Sequence, residues 1–154
     1  MRPAAIRSST GGRTTVLALT LAVGLAGCGA DEPEPGPDAG TAACTALLGR
    51  LPDRVLNRQR TELDVAGAAA WGDPAIVLRC GVTPTGPTSD PCNEYDGIGW
   101  VFTETDDVYR FLTYGRVPAV EVTVPTSVDR TTVSGGLIDL AKAVKPIPQT
   151  TDCL

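Results

Sequence analysis

Cys28 closes the run Leu25-Ala26-Gly27-Cys28, and its thiol has the clearest chemistry in this sequence. A leucine three places before a cysteine, with two small residues between, reads as a lipobox. The thiol takes a diacylglyceryl group, and a peptidase then cuts just before it. The preceding segment suits that use. Arg2, Arg7 and Arg13 make it basic with no acidic residue, and positions 14–25 are almost all apolar or small. Such a run fits a secretory signal and is shorter than the ~20 apolar residues a membrane span needs. Residues 1–27 are therefore expected to be removed. One acyl chain holds a protein to a bilayer only marginally, whereas two or three, palmitate among them, hold it durably. The expected product is a lipoprotein anchored to the extracytoplasmic face of the cell membrane without spanning it.

The remaining cysteines, Cys44, Cys80, Cys92 and Cys153, form an even set, which in an exported domain implies two disulfides. Four cysteines allow three pairings. The expected one is Cys80–Cys92, closing a short loop rich in Pro, Gly, Ser and Thr, with Cys44–Cys153 pinning the last residues to the first helix. A zinc site is disfavoured, because there is no CxxC pair and no histidine. The lack of histidine also removes Ser-His-Asp and Cys-His catalysis. No GxSxG, SxxK or KTG run occurs. Gly97-Ile98-Gly99 starts like a dinucleotide fingerprint, but Phe102 stands where its third glycine belongs. Glu104, Asp106 and Asp107 read as a solvated turn. No catalytic residue, metal ligand or cofactor is assigned.

Four residues carry a modest ligand-binding case: Trp71, Asp73, Arg79 and Arg116. Arg79 interrupts an apolar run, and Arg116 lies between Gly115 and Pro118 on a constrained turn. A rigid guanidinium can grip a carboxylate or phosphate through two parallel hydrogen bonds. The competing reading is that both arginines pair internally with Asp73 or Glu121 and hold turns in place. Trp71 and Trp100 read first as core. Asp73 with Glu121 is the one carboxylate pair considered for hydrolysis.

These residues need a scaffold. Losing three arginines with the signal leaves 10 basic against 18 acidic residues, so the net charge moves from −5 to −8. That balance disfavours nucleic acid, whose phosphates require a basic face. It equally disfavours docking on anionic lipid. Residues 28–40 comprise the lipidated cysteine and an acidic Pro/Gly stretch (GADEPEPGPDAG) expected to be a disordered tether. Residues 41–154 are left for a single domain. Thr41 can cap a short helix through Leu51. Strands are expected at 75–82, 93–97, 98–103, 108–114 and 120–124, with an Asp96-Gly97 hairpin turn. Leu137, Leu140, Ala141 and Val144 share a helical face. Residues 54–60 read as a polar loop. The expected class is α+β: a small, mostly antiparallel sheet with a short N-terminal helix, a C-terminal helix and two disulfides.

The segments WGDPAIVLRCGV (71–82), DGIGW (96–100), TYGRVP (113–118) and EVTVP (121–125) come in an order that resembles an uncharacterised actinobacterial family of small secreted or lipid-anchored proteins, a domain of unknown function. The resemblance implies an envelope location and one domain, and transfers no active-site residue. The expected function is a non-catalytic binding or assembly module of the cell envelope, with an envelope protein as partner. A small anionic-ligand binder and a carboxylate-based hydrolase are the alternatives.

Overall fold

Eight strands form one antiparallel sheet in the order β1-β2-β3-β4-β8-β7-β6-β5. The computed structural model describes residues 32–153, so the signal segment and Cys28 lie outside the described residues. Helix α1 (Ala42–Leu48) is followed by β1 (Arg54–Val55), β2 (Arg58–Thr61), β3 (Ala68–Trp71), β4 (Ile76–Val82), β5 (Cys92–Tyr95), β6 (Ile98–Glu104), β7 (Val108–Thr113), β8 (Ala119–Pro125) and helix α2 (Val133–Val144). The fold is α+β, as the strand spacing and the flanking helices imply. No described helix is long and apolar enough to cross a membrane.

Two meanders share this sheet. Strands β1 to β4 step one way. Residues 83–91 then carry the chain to the far edge, and β5 to β8 step back until β8 pairs with β4. Alternation sorts the side chains. Leu78, Cys80, Val120, Val122 and Phe111 join the core with Trp71 and Ile76. Leu47 of α1 and Leu137, Leu140, Ala141 and Val144 of α2 pack onto the same core. Thr41 caps α1 by accepting from the Cys44 backbone N–H at 3.4 Å. That helix stops at Leu48, with Gly49 as its C-cap, and does not reach Leu51.

Three sequence expectations need correction. Residues 54–60 are not a loop but the β1–β2 hairpin, turned by Leu56 and Asn57 at positive φ. Its polar, arginine-rich strands gave no apolar alternation to read. The disulfides are Cys44–Cys80 and Cys92–Cys153, not the expected pairs. The cause is topological. Cys80 lies on β4 and Cys92 on β5, with β8, β7 and β6 between them. Four strand spacings put them about 19 Å apart, beyond the ~7 Å a disulfide can bridge.

The third correction concerns the tether. Its second half is docked on the domain. The Asp38 N–H donates to the Gly81 carbonyl at 2.9 Å, and Ala39 is buried. Gly81 has φ +82°, and a Cβ there would come within 2.3 Å of the Asp38 carbonyl carbon. Glycine lets the two backbones touch. A composition too polar to build a core can still dock through its main chain, so the ordered domain begins near Glu34.

Candidate functional site

The arginines singled out in the sequence are structural. Arg79 on β4 faces Glu121 on β8 in register. Its Nε and Nη2 donate to Glu121 Oε1 at 3.0 and 2.7 Å, and Nη1 donates to the Glu34 carbonyl at 3.0 Å. Arg110 approaches the other oxygen of Glu121 at 3.1 Å. Glu121 is 4% exposed, so the two guanidiniums compensate a carboxylate removed from water. The edge of Arg79 that would fork onto a ligand is thus already occupied, and it also clips the docked N-terminal segment.

Arg116 joins three parts of the chain. Nη1 donates to the Lys145 carbonyl at 3.3 Å and, closely, to the Ile147 carbonyl. Nη2 donates to Gln149 Oε1 at 2.6 Å and to the Gly97 carbonyl at 3.4 Å. Three of these acceptors lie just beyond the C-terminal end of α2, where a cation complements the helix dipole. Burial holds the Arg116 pKa below its usual value, with Asp152 opposing that shift.

Trp71 is fully buried, and its Nε1 donates to the Pro52 carbonyl at 3.0 Å. Asp73 sits exposed in the turn between β3 and β4. Glu121 pairs with Arg79, three residues along β4 from Ile76, so about 10 Å of strand plus a turn separates the two carboxylates. Asp73 and Glu121 therefore form no acid/base pair.

The site that sequence reasoning missed lies at the other end of the sheet. Asn93 and Tyr95 of β5, Trp100 and Phe102 of β6, and Tyr109 and Phe111 of β7 line a cleft of about 190 Å³, completed by Arg130, Val133 and Ser134 at the start of α2. Five of the chain's seven aromatic residues meet here, where they also belong to the hydrophobic core or pack against it. Register makes the cluster. Phe102 pairs directly with Phe111 and Asn93 with Trp100, so these side chains share one face. The Phe102 ring lies 5.1 Å from that of Phe111 and 6.3 Å from that of Tyr109, both tilted. Trp100 is buried beneath, and its Nε1 has no acceptor among the described residues.

Arg130 spans the rim. Its guanidinium carbon lies 5.2 Å from the Phe102 ring centre and 5.8 Å from that of Tyr109. Its Nη1 reaches Glu104 Oε2 at 2.9 Å. The turn presenting it is built on Asp129, whose Oδ1 accepts from the Thr131 N–H at 2.8 Å and from the Thr131 hydroxyl at 2.7 Å. Those two bonds hold the Asp129 carboxyl below its ordinary 3.8. The sequence signal was there: Trp100-x-Phe102 and Tyr109-x-Phe111 each place aromatics two apart, on one face of a strand.

The cleft has an aromatic floor and an ion pair on its rim. A family model described as Protein of unknown function (DUF3515) matches residues 15–151. The chain belongs to the DUF3515 family. No curated protein matches the chain, and no solved structure does. For this DUF3515 member, function has to be argued from its own side chains.

Proposed function

We propose that this DUF3515 protein is a non-catalytic binding module of the actinobacterial cell envelope, lipid-anchored through Cys28 and engaging its partner through the aromatic cleft. The observation that carries the binding reading is the gathering of Tyr95, Trp100, Phe102, Tyr109 and Phe111 around one opening. Aromatic side chains give large contact area at low cost in conformational entropy, and they dominate interface hot spots. Binding of a small anion through Arg79 or Arg116 is less well supported, because Glu121, Glu34, Gln149 and main-chain carbonyls already occupy those guanidiniums. The separation of Asp73 from Glu121 weighs against the hydrolase.

The anchor rests on the sequence at residues 25–28 together with the basic, apolar segment before it. The docked segment adds a consequence. Only five residues separate Cys28 from Glu34, a reach of at most about 22 Å. The domain would then sit close to the bilayer. Fractionation tests the anchor: Cys28→Ser should leave the membrane fraction, and its retention there would contradict lipidation. Cross-linking in intact membranes tests the cleft. The anchored protein should give a reproducible adduct that is lost in the Phe102→Ala/Tyr109→Ala double variant, and an unchanged adduct would exclude the cleft.

A further inference from the structure

The rim of the cleft resembles a receptor occupied by part of its own chain. Arg130 stacks across Phe102 and Tyr109 and pairs with Glu104, which are the contacts an incoming guanidinium would need. It is loosely held, with a side chain 62% exposed and a Glu104 partner that is 39% exposed. The hollow of about 190 Å³ between β5–β7 and α2 lies next to it. Glu104 is the carboxylate shown at the rim, and it supplies the charge that a cation would meet.

Resting on the cleft as the binding site, we infer that its occupant is an arginine side chain of a partner protein, which displaces Arg130 from Phe102, Tyr109 and Glu104. The exchange replaces one guanidinium by another on the same rings and carboxylate, so the local contacts are conserved. The partner's neighbouring apolar groups enter the hollow beside Tyr95 and Phe111. Arg130 acts as an internal competitor that keeps an aromatic surface covered until the partner arrives. A site filled nine times in ten by its own side chain binds an outside ligand about tenfold more weakly.

The test is a titration of the full-length protein in detergent with Nα-acetyl-arginine amide, followed by NMR shifts of the Tyr95, Phe102 and Trp100 rings. Nα-acetyl-citrulline amide serves as the uncharged isostere. Arg130→Ala should bind the arginine probe about tenfold more tightly than the wild type. The citrulline probe should gain nothing, and adding Glu104→Gln should reverse most of the gain. The inference is overturned if Arg130→Ala gives no tightening or if citrulline binds as well as arginine. Phenol provides the separating control. Phenol shifting Tyr95 and Phe111 without any preference for arginine would leave the cleft standing and remove its cation specificity. No shift with any of the three probes would remove both.

Discussion

Trp71 and Trp100 are both fully buried, yet they sit in regions of opposite character. Around Trp71 most polar groups are committed to the fold, although Arg60 Nε on the paired strand has no hydrogen-bond partner among the described residues. The Trp71 indole N–H bonds Pro52, Cys44–Cys80 ties α1 to β4, and aliphatic side chains from α1, α2 and the sheet close over the ring. Around Trp100 the indole N–H is unpaired among the described residues, the neighbouring rings reach a cleft, and Arg130 on its rim is mostly exposed. The first region spends its polar groups on holding the fold, and the second leaves surface to spare. Arg79 and Arg116 are bonded inside the fold, whereas Arg130 is stacked and mostly exposed on the cleft rim.

That contrast can be broken most forcefully in the closed region. Trp71→Ala should cost about 5 kcal/mol, near the top of the range for deleting a large buried ring, because it also strands the Pro52 carbonyl. Denaturant unfolding measures it. Losing Cys44–Cys80 as a double serine variant should cost about 4 kcal/mol in the chain-entropy account, given the 36-residue separation. Arg116→Ala should cost about 3 kcal/mol by removing charged donors from several carbonyls at once. Should it instead leave the melting temperature unchanged, the arginine would not be the structural clamp described above.

The open region should respond in reverse. Phe102→Ala, at a half-buried ring, should cost only about 1–2 kcal/mol, and Arg130→Ala less than about 0.5 kcal/mol. Both should alter binding far more than folding. The smallest effect is electrostatic. Because the Asp129 pKa is lowered on folding, its stabilisation is complete above the ordinary carboxyl range and fades as pH falls through the lowered value. Asp129→Asn should therefore be less stable than wild type at neutral pH, with the difference closing in acid. A constant difference across pH would point away from the Thr131 contacts.

Much of the framework was legible in the residues. The near-continuous apolar run at β4 and the strict alternation at β8 announced those strands, and Asp96-Gly97 announced the β5–β6 turn. Short arginine-bearing strands and the all-alanine start of β3 carried no such signal, because neighbours and not propensity place them in the sheet. The disulfides were illegible for a different reason: pairing depends on strand order, and nothing local says that β4 neighbours β8. Arg79 with Glu121 was readable as a pair. The cleft was readable only in halves, since each aromatic doublet is visible but their meeting depends on the register that sets Phe102 opposite Phe111.

The most direct measurement places a photoreactive residue at Asn93, on the cleft, and at Lys142, on the exposed part of α2, in membranes from living cells. The account predicts a discrete partner adduct from position 93, competed by Nα-acetyl-arginine amide, and none from position 142. Equal adducts from both positions, or an adduct from position 142 alone, would contradict it.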